Sequence, residues 1–201
     1  MDSFLVFGNM AQFNTSFSTP SGLLARKLFA HEDNEIVDID VAPHQSLGAL
    51  KVEFIDNLER HRSLLKQCIQ EAVKKILIIS PYISINAIND DNLEGLIRES
   101  VKRGTEISII TDHYFDTHRE INTVRGREKL EKAGAIVNIH HRIHDKVICV
   151  DDHTIVIGSF NWLSASRVKE YAKEERSTLC KDGHQVYQEI NKHWKRIALG
   201  S

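Results

Sequence analysis

The chain has 201 residues, 41% hydrophobic and 27% charged, with a formal net charge of −2. That size suits one domain with a sizeable core plus an extension, and the composition excludes a fibrous or low-complexity chain. The charge balance excludes a global basic footprint, so a polyanion would have to be met by a local basic face.

Residues 1–45 carry one candidate strand, "FLVFG", one candidate helix, "GLLARKLF", and an acidic stretch, "EDNEIVDID". They fit no repeating pattern and are expected to form an N-terminal extension. "MDSFLVFGNM" has an acid where a secretory signal carries bases, and its apolar run is brief, so a cytoplasmic location is expected. Cys68, Cys149 and Cys180 are far apart and odd in number, which fits a reducing compartment.

Residues 46–74 read as helical, with Leu47, Leu50, Val52, Phe54, Ile55, Leu58, Leu64, Leu65, Ile69 and Val73 at roughly helical spacing. From Ile76 the pattern alternates. "ILIIS" (76–80) reads as a buried strand, too short to cross a bilayer. Residues 91–104 read as a helix whose apolar face is Leu93, Leu96, Ile97 and Val101, ending at Gly104. Strand 106–111, helix 124–134 and strand 135–141 follow, then strands at 144–151 and 154–158, a short strand at 176–180 and a closing helix at 183–199. The fold class expected is α/β, a mixed and largely parallel sheet with helices on both faces.

The segment "HDKVICVDDHTIVIGSFNW" (144–162) concentrates the chemistry. Side chains alternate along a strand, so His144 and Lys146 share a face. A two-residue turn at Asp152-His153 would place Lys146 opposite Ser159 and His144 opposite Asn161, with directly paired Cβ atoms about 4.5–5.5 Å apart. A one-residue slip would break that pairing. Gly158, with no Cβ, would admit a ligand or another backbone. A lysine and two neutral donors suit the non-bridging oxygens of a phosphodiester, and a histidine beside them suits attack on phosphorus or protonation of the leaving oxygen.

As a pattern, His144-x-Lys146-x4-Asp151-x6-Gly158-Ser159-x-Asn161 resembles the HKD motif of the phospholipase D superfamily. The resemblance spans roughly residues 50–198, so residues 46–201 are expected to form a phospholipase D-like phosphodiesterase domain. It implies that His144 is the nucleophile and forms a phosphohistidine. It also implies that Lys146, Ser159 and Asn161 bind the phosphate, and that Asp151 supports the motif. A downstream glutamate, Glu175 with Glu174 as fallback, would fix the histidine tautomer. No cofactor or metal is implied.

No second HxK occurs in the chain, whereas most members of the superfamily use two motifs. Either a homodimer pairs two His144 side chains through the active-site face, or the chain is half of a site completed elsewhere. Single-motif bacterial members, which this chain resembles, are nucleases. "GSFNWLS" resembles modules that travel with DNA helicases and DNA-processing systems. Nucleic acid, DNA rather than RNA, is therefore the expected substrate. A phospholipase acting on head-group diesters and a non-catalytic nucleic-acid-binding module are the alternatives.

The cluster His140, His141 and His144 raises a zinc reading. However, His140 and His141 point to opposite faces of a strand, and a zinc site wants three or four ligands. Tyr82, Asp112, His113 and Tyr114 follow strands at their carboxyl ends and are candidate substrate-groove residues, Tyr82 or Tyr114 as a base-stacking group.

Overall fold

Lys75–Ile79 (β2) is buried at four consecutive positions, as a central strand covered on both faces must be. The computed structural model describes residues 48–114 and 121–198. The candidate strand and helix of the first 45 residues, and Phe115, lie outside the described residues. Around β2 run six more strands: Lys51–Ile55 (β1), Glu106–Asp112 (β3), Ile136–His140 (β4), Val147–Val150 (β5), Thr154–Gly158 (β6) and Ser177–Lys181 (β7). Their order in the sheet is β1-β7-β6-β5-β2-β3-β4.

The sheet is mixed, as expected, but its balance differs. Only β2–β3 and β3–β4 pair in parallel; the other four pairings are antiparallel. The tight β5–β6 link allows only an antiparallel neighbour, while each parallel pair is joined by a helical crossover, one between β2 and β3 and one between β3 and β4.

Each face of the sheet has its own core. On one face Ile76, Ile78, Ile107, Ile109, Ile148, Val150 and Val156 pack with Leu64, Leu65 and Ile69 of helix α1 (Leu58–Glu71). Leu93 and Ile97 of α3 (Leu93–Lys102) and Leu130 of α4 (Ile121–Lys132) join them, and a short helix α2 (Ile85–Asp90) precedes α3. On the other face Leu77, Ile79, Ile110, Val147, Cys149 and Ile155 pack with Val186 and Ile190 of α5 (His184–Ala198). Burial pushes the thiols of Cys68 and Cys149 up to about 12, so both act as small apolar fillers.

Two expectations are corrected. The stretch expected to be helical over 46–74 holds a strand, Lys51–Ile55, followed by a helix, Leu58–Glu71. Asn57 caps α1, its side chain accepting the Arg60 N–H. Before it, β1 is an edge strand whose Val52 and Phe54 are exposed while Ile55 is buried. The β5–β6 hairpin also has a three-residue loop, Asp151–His153, closed by the pair Val150 and Thr154. Asp151 takes a left-handed backbone (φ 50°), and the register shifts by one: Lys146 faces Gly158, whose N–H donates to the Lys146 carbonyl at 3.3 Å. Ser159 is not its partner.

The pairings gather the carboxyl ends of β2, β3, β4 and β6 with the amino ends of β5 and β7 at one end of the sheet. There β2 has a parallel neighbour on one side and an antiparallel one on the other, the kind of switch point where open sheets bind ligands.

Candidate active site

His144 and Lys146 lie just before β5, past the end of β2, where Ile79 pairs with Val147. Lys146 is buried (8% exposed), and its Nζ donates to the His144 carbonyl at 2.7 Å. The same Nζ is 3.3 Å from His144 Nε2. An ammonium can only donate, so Nε2 accepts, and in the neutral ring the proton sits on Nδ1. Burial pushes the Lys146 pKa down from its ordinary value, while the carboxylates of Glu175 and then Asp145 oppose the shift.

The segment leading to His144 is pinned by Asp112. Its carboxylate accepts from the Ile143 N–H at 2.5 Å and from the Tyr114 N–H at 2.8 Å. Asp112 is itself 4% exposed, so this residue, expected in a substrate groove, is an anchor for the backbone instead. Tyr82 is half-buried and Tyr114 exposed at the same end of the sheet. The His113 ring lies 4.3 Å from that of exposed His141, while His140 is buried. Among the described residues no group of three His, Cys, Asp or Glu side chains is arranged to hold a metal.

The other half of the patch is a loop leaving β6. A Cβ on Gly158 would lie 2.3 Å from the Arg176 carbonyl oxygen and from Ser177 Oγ, so the close approach that glycine permits here is that of β7. Ser159 is exposed; its N–H donates to Arg176 O at 2.9 Å, and its Oγ accepts from the Arg176 N–H at 3.1 Å. The Asn161 carbonyl accepts from Ser164 and Ala165 N–H at 3.1 and 2.8 Å. Its side-chain Oδ1 is buried without a hydrogen-bond partner, a state native structures avoid unless a ligand or water takes the place. Glu175 is half-buried and Glu174 exposed; the charge of Glu175 reaches both Lys146 and His61.

Several residues that hold this loop were not singled out in the sequence. His61 of α1 is buried beneath it, stacked on Phe160 with ring centroids 4.4 Å apart. Its Nδ1 donates to Asn57 O at 2.8 Å, which leaves Nε2 to accept from Ser177 Oγ at 3.0 Å. Arg167 donates to the carbonyls of Trp162 (2.7 Å) and Ala165 (2.6 Å) and to buried Asp91 (2.8 Å). Asp91 also accepts from Arg62 at 2.7 Å. His61 had a sequence signal, since it shares the apolar stripe of Leu64, Leu65 and Cys68. Arg167 had none. Phe160 and Trp162 are core residues, 2% and 0% exposed.

Asp151 stands apart. It lies at the far end of β5, where its carboxylate accepts from the N–H groups of Val73, Lys74 and Lys75 at 3.1, 2.7 and 2.9 Å. Named with the catalytic set for its place in the motif and expected to support it, Asp151 fixes the hairpin to the start of β2.

The family profile described as "Cardiolipin synthase, PLD-like domain" matches residues 65–198. The chain belongs to the phospholipase D superfamily. Solved structures of the same fold include NucT from Helicobacter pylori (TM-score 0.59, 17% identity, 74% of this chain and 96% of that one covered). Phosphatidylserine synthase from Haemophilus influenzae Rd KW20 shares the fold over 74% of this chain and 38% of its own (TM-score 0.53, 16% identity). So does polyphosphate kinase from Porphyromonas gingivalis, over 75% of this chain and 26% of its own (TM-score 0.54, 13% identity). No curated protein sequence matches the chain. Among the described residues, no helix of this superfamily member is long and apolar enough to cross a membrane.

Proposed function

We propose that this phospholipase D superfamily member is a nuclease that cleaves phosphodiesters of nucleic acid, DNA before RNA, through a phosphohistidine on His144. The observation that carries the reading is the 3.3 Å contact between Lys146 Nζ and His144 Nε2, which leaves Nε2 the unprotonated nitrogen beside a cation. As the phosphate oxygens take over the Lys146 N–H, the freed Nε2 lone pair attacks phosphorus and the bond to the leaving oxygen breaks. Lys146, Ser159 and the Asn161 amide hold the non-bridging oxygens as charge builds there. Water then attacks the phosphohistidine and the P–N bond breaks.

The leaving oxygen needs a proton that the attacking His144 cannot give. With one motif per chain, His144 of a second copy is the group to supply it, and the same ring then takes a proton from the attacking water. These steps use side chains alone, and activity is expected in EDTA. The choice of nucleic acid rests on the single motif and on the "GSFNWLS" stretch. A head-group phosphodiester of a lipid is the second reading, favoured by the description of the matching family profile.

The test is incubation of the protein in EDTA with labelled DNA, RNA and phosphatidylcholine vesicles, beside His144→Ala. Cleavage of DNA by the wild type alone supports the reading. Head-group release without cut nucleic acid moves the substrate to lipid, and DNA cleavage by His144→Ala at the wild-type rate removes the mechanism.

A further inference from the structure

A groove of about 290 Å³ opens beside the Asn161 carboxamide and Glu175. Asn161 and Glu175 tie the groove to the end of the sheet where His144 and Lys146 lie. Its bed is made of small side chains, Ser164, Ala165 and Ser166, and its far lip is the 3₁₀ turn Lys169–Tyr171 followed by Lys173. Tyr171 is 76% exposed. Arg167 holds the bed rigid through its bonds to Trp162 O, Ala165 O and Asp91. A Ser166–Val168 turn, with the Ser166 Oγ accepting the Val168 N–H at 3.2 Å, sets where the lip begins.

A lone exposed tyrosine needs no explanation. This one borders a groove whose lining also includes Asn161 and Glu175. The size is at the small end for ligand pockets, enough for one planar group. The lining mixes apolar Leu58, Phe160 and Ala165 with hydroxyl, amide and charged groups, a combination that suits the flat face and polar edges of a base. A base in a duplex is stacked and paired and cannot enter such a recess, whereas a base of a single strand can.

We propose that this groove is the base subsite of the active site: it takes the nucleotide next to the scissile phosphate of a single-stranded nucleic acid, with Tyr171 stacking on the base and Lys173 meeting the flanking phosphate. This rests on the nuclease reading and places the stacking group on the β6–β7 side, away from Tyr82 and Tyr114.

The experiment compares wild type, Tyr171→Ala and Tyr171→Phe on three substrates: bis(p-nitrophenyl) phosphate, a short single-stranded DNA, and the same strand made abasic. For Tyr171→Ala, kcat/KM on the DNA, taken relative to the small diester, is expected to fall about tenfold, mostly through KM. Tyr171→Phe keeps the wild-type ratio, and the abasic strand is handled equally by all three proteins. An unchanged ratio for Tyr171→Ala, or a duplex of the same sequence cut as fast as the single strand, overturns the subsite while leaving the nuclease reading intact. A wild type that cleaves neither the small diester nor the DNA overturns the nuclease reading and the subsite with it.

Discussion

The two ends of β5 carry the same motif and are built on opposite principles. At the Asp151 end the carboxylate is spent internally: it accepts three backbone N–H groups and the residue is 6% exposed. At the Lys146 end a buried ammonium has a neutral ring and a carbonyl for partners, His144 is exposed, and the Asn161 Oδ1 has no partner. Satisfied buried polar groups fix a shape. The difference separates a residue of the motif that holds the strand, Asp151, from the two, His144 and Lys146, to which the proposed reaction assigns the ligand.

Substitutions at the two ends should therefore fail in different ways. His144→Ala is expected to lower DNA cleavage at least about a thousandfold while moving stability by no more than about 0.5 kcal/mol, measured by single-turnover kinetics and urea unfolding. Lys146→Met is expected to cost about a hundred- to a thousandfold in kcat. Because the ammonium it removes is desolvated, the unfolding midpoint should hold or rise. Asp151→Ala reverses the pattern. Three N–H groups lose their acceptor, and stability is expected to drop by about 3 kcal/mol while kcat per folded molecule is kept.

Gly158→Ala tests the join between the regions. A methyl forced against Arg176 O and Ser177 Oγ is expected to cost about 1–3 kcal/mol and to weaken phosphate binding by shifting Ser159. The smallest effect is on pH. Burial is the largest cause lowering the pKa of His61, His140 and His193 below the ordinary 6.5. The unfolded chain then binds more protons than the fold below that value. Stability is kept above about pH 6.5 and declines as the pH falls from there toward the folded-state pKa values. Unfolding midpoints from pH 7.5 to 5 measure the slope, and His61→Asn should make it shallower.

Much of the fold was legible because its signals are local. The unbroken apolar run of β2, the apolar face of α3 with Gly104 (φ 91°) past its end, and Gly134 (φ 103°) after α4 could be read from neighbours in sequence. So could the contact between His144 and Lys146, two residues apart. What escaped depends on distant partners. The hairpin register is set by an aspartate whose carboxylate accepts from the N–H groups of Val73, Lys74 and Lys75, so the turn residues alone suggest the wrong loop length. Val52 and Phe54 alternate with Lys51 and Glu53 as strand residues do, but the roughly helical spacing of the apolar residues from Leu47 to Val73 masks that short signal. His61 and Arg167 reach the loop after β6 from other elements, and only the tertiary fold brings them there.

The most direct measurement is a rapid quench of the protein with single-stranded DNA in EDTA, followed by peptide mapping at alkaline pH to locate the covalent adduct. A phosphoryl-linked DNA fragment on His144 that forms and decays within the turnover time is the expected result. Full-rate cleavage with no adduct on His144, or with the adduct on another residue, would contradict the assignment of His144 as nucleophile.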